Sequence, residues 1–395
     1  EDRYRYIIEL GDELEDMESE LRVEEHRVQG CVSNVWLVAR SDASDPPHIF
    51  FRADSDSQLV RGLVASGFGY ALLNSMPPHD LAPSGGRTVA RPLADPVARR
   101  AVDELRTVVR RQPGSSEAHN ALGLALQHAE SLDAALEEFK TAVRIAPQFD
   151  SAFYNLARVL VTQRRYSAAV YYLNKAVEIA PDNLEHGLAL GITYSQKGDF
   201  DLAVRSLKKV ISSHPNLATA HFNLGTAYTR QDRYQEALDS YRKVLALDAG
   251  NEAARLSLAK SLQALGRHRE SVPHLEAYVG RRPQDAEGYL WLGHAHRHLA
   301  AYREAADALQ QGVRIKPDDY EIRYNLGFVL ERLGELESAV QHLEQARNLN
   351  PRAQEVRYQL FKIFRAVNKP DQAKEELEVF QHLRRQKKSQ TDAKT

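Results

Sequence analysis

A mainly α superhelical solenoid of helix–turn–helix units, preceded by a small partial α+β segment, is the fold class predicted by this chain of 395 residues. Three observations predict it. Proline recurs at Pro113, Pro147, Pro181, Pro215, Pro283, Pro317 and Pro351, spaced 34 residues apart except for one double interval with Ala249 at its midpoint. A leucine and a following residue keep the same beat: Leu122–Gly123, Leu156–Ala157, Leu190–Gly191, Leu224–Gly225, Leu258–Ala259, Leu292–Gly293, Leu326–Gly327 and Leu360–Phe361. Residues 1–65 keep no such period, and "VSNVWLVAR" and "HIFFRAD" within them alternate as strands do. A period of this length marks an array in which no unit buries its apolar face alone, so neighbours stack.

The elements follow in order. "RYRYIIELGDEL" has helical spacing through Tyr4, Ile7, Ile8 and Leu14. Two strands follow, joined by the turn-rich "SDASDPP". "SDSQLVRGLVA" then reads as a capped helix start, with Ser55 or Asp56 at the cap. Residues 66–95, rich in Gly and Pro, read as a linker, and 96–115 as a capping helix with Ala101, Leu105 and Val108 on one face. Seven units fill 116–353, beginning at Ser116, Asp150, Leu184, Ala218, Glu252, Ala286 and Tyr320. In each, the small residue of the first helix lets the second approach closely, a second small residue recurs (Ala135, Ala169, Ala203, Ala237, Ser271, Ala305, Ala339), and proline opens the next turn. An eighth, degenerate unit spans 354–387, where Phe361 in place of a small residue implies looser packing; 388–395 read as a frayed tail.

Composition narrows the function classes. A single cysteine, Cys31, excludes an internal disulfide and a cysteine zinc cage. No apolar run approaches the ~18 residues that span a bilayer, so the expectation is a cytoplasmic protein without a membrane partner. The start at Glu1, with no methionine or signal pattern, suggests a fragment or a processed form. Net charge is −2, but residues 1–90 hold sixteen acids against eight bases, which argues for two modules of separate origin. No concentrated basic face points to nucleic acid. No phosphate loop, paired-carboxylate set or nucleophile–His–Asp motif stands out, so no cofactor is expected and the repeat array reads as non-catalytic. "GHAHRHL" places His294 and His298 four apart on one helix face, yet no carboxylate or cysteine completes a metal site.

The period, the Leu–small pair and the closing proline resemble the tetratricopeptide repeat over residues 96–387. The resemblance implies a right-handed superhelix with the first helices lining a concave face. One inner position there reads Asn120, Tyr154, Leu188, Phe222, Leu256, Leu290, Tyr324 and Tyr358, an apolar and aromatic stripe suited to a peptide or partner helix. The next position carries Asn155, Asn223 and Asn325, amides of the kind that hold peptide backbone in some long arrays of the family, although Ala121, Ala189, Ser257, Trp291 and Gln359 interrupt the ladder. The family's carboxylate clamp needs lysine where Tyr, Leu and Phe stand. Two further inner positions add Arg158, Lys260, Arg297, Lys362 and Arg365, which suit an acidic partner or simply a solvated helix face.

The blocks "YIIELGDEL", "RVQGCVSNVWLV" and "RADSDSQLVRGLVA" resemble the SufE family of sulfur acceptors. Gly30, Cys31, Ser33, Val35 and Trp36 match its G-C-x-S loop and V-W strand; Ser55, Asp56, Gly62 and Leu63 match its S-D and G-L block. The resemblance implies that Cys31 takes persulfide sulfur from a cysteine desulfurase for iron–sulfur cluster assembly. Such chemistry needs a thiolate able to reach another protein's sulfur, and Gly30 gives the backbone beside it freedom. The match fades after Ala65, leaving roughly half of that family's domain. The junction fits a fusion, a remnant or an artificial joint equally. Two expectations result: an interaction scaffold that binds a peptide or partner helix, and alternatively a sulfur carrier for which the array is the docking platform.

Overall fold

The computed structural model describes residues 4–7, 21–28, 31–39, 48–53 and 95–392, with side chains from Arg99 to Gln386. The described residues fall into two compact bodies, 1–198 and 199–395.

The first body opens with four strands, β1 (Tyr4–Ile7), β2 (Leu21–Val28), β3 (Cys31–Ala39) and β4 (His48–Ala53), paired antiparallel in sequence order. This corrects the helical reading of the opening residues. Tyr4 faces Glu25 and Ile7 faces Arg22 across the ladder, so pairing with β2, which the sequence reading left unassigned, overrides the weak helical spacing. Strands at β3 and β4 were expected. Cys31, expected in a loop ahead of its strand, instead opens β3 opposite Val28. The S-D and G-L block and the linker lie outside the described residues.

Six helices complete this body: α1 (Asp95–Arg111), α2 (Ser116–His128), α3 (Leu132–Ile145), α4 (Asp150–Thr162), α5 (Tyr166–Ile179) and α6 (Leu184–Lys197). Their shared core contains Leu122, Phe139, Leu156, Leu160 and Leu173, together with the fully buried Ala135 and Ala169. Burying each of these large side chains stabilises the array by about 1.5–3 kcal/mol.

The second body continues the alternation through α7 (Phe200–Ser213), α8 (Ala218–Arg230), α9 (Tyr234–Leu247), α10 (Glu252–Ala264), α11 (His268–Arg281), α12 (Ala286–His298), α13 (Tyr302–Ile315), α14 (Tyr320–Leu333), α15 (Leu336–Leu349), α16 (Gln354–Ala366) and α17 (Pro370–Asp392). Its carboxyl-terminal core gathers Leu309, Ile322, Leu326, Leu343, Leu360, Ile363 and Phe364. Phe361 is only partly buried and lies 6.0 Å from the Tyr358 ring, while Leu360 beside it fills the core.

Two local devices recur along the array. Ser115, Asn183, Asn251, Asp285 and Asp319 cap first helices by accepting backbone N–H groups, Ser115 Oγ from Ala118 at 3.1 Å and Asn251 Oδ1 from Ala254 at 3.0 Å. Between the two helices of every repeat, one residue takes a left-handed conformation: Glu130, Arg164, Gly198, Asp232, Gly266, Ala300, Gly334 and Asn368. The residue after it closes a six-residue turn, as where Ser131 N–H donates to Leu126 O at 2.8 Å and Ala301 N–H to His296 O at 2.9 Å. Only three of these positions are glycine, so the other five hold a backbone region that disfavours side chains.

Candidate functional site

The stripe of first-helix residues is built by the 34-residue period, which returns the same helix face to the same position in every repeat. In the first body, Tyr154 is buried against His186, ring centroids 5.1 Å apart, with the Arg158 guanidinium 5.7 Å over its outer side. Burial pushes the Tyr154 hydroxyl pKa up and the His186 imidazole down. Leu188 is half-buried. Asn155 is buried and donates through Nδ2 to Asn120 Oδ1 at 3.0 Å, joining two repeats. Beside these, Gln127, Arg158, Val161, Ile192 and Gln196 line a cleft of about 250 Å³, into a mostly apolar wall. Gln127 was not singled out by sequence; its Oε1 is buried without a hydrogen bond, a signal that only coordinates carry.

In the second body the stripe is more open. Leu256 is buried, Phe222, Leu290 and Tyr324 are half-buried, and Tyr358 is 44% exposed. Phe222 meets Tyr241 at 5.8 Å, and Tyr324 stacks on Tyr320 at 6.2 Å with planes 7° apart. Tyr358 packs on Phe380 at 5.3 Å under the Lys362 ammonium at 5.8 Å. The asparagines turn their donors inward: Asn223 Nδ2 donates to Thr219 O at 2.8 Å and Asn325 Nδ2 to Glu321 O at 2.7 Å. Asn155 likewise gives one N–H to Asn120, so each of the three amides spends one of its two donors within the array.

Of the inner cations, Lys260 pairs with Glu287, and Lys362 pairs with Glu331 at 3.1 Å. Arg365 stands over Phe361 at 5.6 Å. Arg297 lies 5.0 Å over Phe328 and 3.4 Å from His298 Nε2. His294 and His298 come together as their spacing requires, Nε2 to Nε2 at 3.3 Å. The sequence reading missed His268, whose ring stacks on His298 at 4.3 Å; it opens the second helix of the preceding repeat, so repeat register could have found it. Burial first, then Arg297, His298 and His268, push the His294 pKa down to about 4. Among the described residues no group of three or more His, Cys, Asp or Glu side chains is placed to hold a metal ion. None of the described helices is long and apolar enough to cross a membrane.

Comparisons with known proteins agree with this architecture. Family models described as "Tetratricopeptide repeat" match residues 98–150, 188–252 and 256–320, residues 299–348, and residues 150–183. The C-terminal part of a TPR repeat-containing protein from Cytophaga hutchinsonii superposes with a TM-score of 0.50 at 19% identity, covering 58% of this chain and 95% of that one. That likeness is one of fold. The model described as "SufE: Fe-S metabolism associated domain" matches residues 1–81, reaching past the 65 read from the motif blocks. An uncharacterized SufE-like protein of Rhizobium meliloti is 55% identical over 67 residues, 16% of this chain and 47% of the relative. A counterpart in Rhizobium etli is 52% identical over 67 residues, 16% of this chain and 45% of its own length. The chain therefore spans about half the length of these curated relatives. It belongs to the tetratricopeptide-repeat family and carries a SufE-like segment at its amino end.

Proposed function

We propose that the repeat array is a protein-interaction scaffold that holds a peptide or partner helix along its first-helix stripe. The observation that carries this reading is the partly exposed aromatic and aliphatic series Phe222, Leu290, Tyr324 and Tyr358 in one body. Side chains that only packed adjacent repeats would be covered as Leu256 is. Grooves lined this way take helices or extended chains through apolar anchors, and aromatic side chains carry a large share of such binding energy. Tyr154 and Asn155 are buried and support the groove from beneath, so their substitution reports on folding as well as binding. Tagged full-length protein and a Phe222→Ser/Tyr324→Ser/Tyr358→Ser variant, matched for helical circular dichroism, are compared in quantitative pull-downs. The variant is expected to lose at least about tenfold of specific capture. Undiminished capture rejects the groove.

The amino-terminal family match favours a second reading for the head: Cys31 accepts sulfane sulfur from a cysteine desulfurase, and the array docks the donor or the assembly machinery. In that step the Cys31 thiolate attacks the outer sulfur of the donor's persulfide. A Cys31 persulfide forms, and the donor leaves as its cysteine thiolate. Incubation with a cysteine desulfurase and free cysteine, followed by intact mass, is expected to add one sulfur to wild type and none to Cys31→Ser. Equal masses end this reading and leave the scaffold untouched.

A further inference from the structure

In the second body the inner-face cations Lys260 and Lys362 are paired with carboxylates, whereas Arg297 is not. Arg297 on α12 is partly buried and forms no ion pair with a carboxylate among the described residues. Its surroundings are the Phe328 ring, the phenols of Tyr302 and Tyr324, and His298. Among the acids of the same and adjoining helices, Glu276, Glu304, Asp307 and Glu321 are exposed and none is paired with Arg297. Glu287 on α12 takes Lys260, Glu270 on α11 takes Arg267, and Glu331 on α14 takes Lys362 and the Gln359 amide.

Three imidazoles complete the patch. His268 stacks on His298 with planes 5° apart, and His294 lies 4.5 Å from His298. Gln263 donates through Nε2 to Trp291 O at 2.8 Å, so its Oε1 accepts from His294 Nδ1, also at 2.8 Å. That leaves His294 Nε2 turned towards His298. The buried Nδ1 of His268 has no hydrogen-bond partner. The charged groups acting on all three imidazoles are Arg297 and one another, with no carboxylate among them. A partly desolvated guanidinium without an acid is costly, and an incoming carboxylate removes that cost through charge-assisted hydrogen bonds.

Building on the scaffold reading, we propose that Arg297 with His268, His294 and His298 forms a seat for a carboxylate side chain of a partner protein. The stripe thereby selects an acidic segment and grips it harder as pH falls. The aromatic walls at Tyr324 and Phe328 take the apolar residues beside that carboxylate. An anion placed here favours the protonated imidazole, so binding takes up protons below neutral pH.

The test uses the full chain and a fluorescein-labelled octapeptide of alternating glutamate and leucine, with a glutamine-for-glutamate twin, read by fluorescence anisotropy. The glutamate peptide is expected to bind about tenfold tighter than its twin, the effect of one charge-assisted contact. Arg297→Gln should erase that preference while Arg297→Lys, the check on folding, keeps most of it. Lowering pH from about 7.5 to about 6 should tighten only the glutamate peptide, spanning the ordinary histidine range, and His298→Gln should blunt the gain. Equal affinity for the two peptides, no binding of the glutamate peptide, or a preference that survives Arg297→Gln overturns the seat. So does inorganic phosphate displacing the peptide as well as an equal concentration of unlabelled glutamate peptide. If both peptides bind equally and both are lost in the Phe222→Ser/Tyr324→Ser/Tyr358→Ser variant, the seat fails while the groove stands.

Discussion

Glu376→Ala will destabilise the carboxyl-terminal end of the array by about 3–5 kcal/mol, the cost of stripping one partner from a buried ion pair. Glu376 on α17 is 2% exposed, and its two oxygens are held by Arg347 of α15 and by Arg357 Nη1 of α16 at 2.9 Å. One carboxylate thus ties three helices. Arg357 Nε is already buried without a hydrogen bond, so loss of the acid leaves that guanidinium poorly compensated. Glu376→Gln, which keeps the shape and removes the charge, should fall between wild type and alanine. Hydrogen exchange of the α16 and α17 amides gives the local measurement, because a repeat array need not unfold in one step. Protection in these helices equal to wild type in the alanine variant would show that the triad contributes nothing. The looser packing expected from Phe361 is offset at this point by Glu376 and by the buried Leu360, Ile363 and Phe364.

Gly225→Ala will cost about 1–3 kcal/mol, the usual penalty for forcing an extra carbon into a filled core. A Cβ at this position would lie 2.7 Å from Tyr241 Cε1 and 2.9 Å from Cζ. The ring cannot retreat easily: Tyr241 is 2% exposed, and its hydroxyl lies 3.4 Å from Thr226 Oγ1 and 3.3 Å from Thr229 Oγ1. Gly123 meets Phe139 in the same way, at 2.7 Å. Where the corresponding first-helix residue is alanine, as at Ala157 and Ala259, the second helix offers Leu173 and Leu275, all of them buried. The double variant Gly225→Ala/Tyr241→Leu should therefore lose less than the two single losses summed, with a coupling of about 1 kcal/mol in urea melts. Strict additivity would dismiss the ring as the cause.

The repeat architecture was open to reading because its signals are local and reiterated. Each Leu–small pair sits at the crossing of two helices, and packing at that crossing tolerates few residue types. The interhelical turn was harder to see. Gly198, Gly266 and Gly334 advertise a left-handed residue and Asp232 and Asn368 hint at one, whereas Glu130, Arg164 and Ala300 adopt it with nothing in their chemistry to announce it. At the amino end, the spacing of Tyr4 and Ile7 suggested a helix because the sequence does not reveal that β2 lies alongside to pair with. The stripe was legible as a set of positions, but the degree of cover was not. Tyr154 is closed by His186 from the next repeat while Tyr358 stays open, and that depends on side chains 30 or more residues away. The proposed carboxylate seat was half visible: Arg297, His294 and His298 share one helix, whereas His268 stands a repeat earlier and is reached only by following the repeat register.

The reciprocity between Gly225 and Tyr241 bears on how such chains can be recombined. Both partners lie within one repeat, in α8 and α9, as do Gly123 with Phe139, Gly293 with Leu309 and Gly327 with Leu343. A segment exchanged from proline to proline carries its own matched pair and arrives sterically solved. A crossover placed between the two helices of a repeat can set an alanine from one parent against a tyrosine from the other. The repeat, rather than the helix, is thus the smallest cassette that this chain can trade without repair.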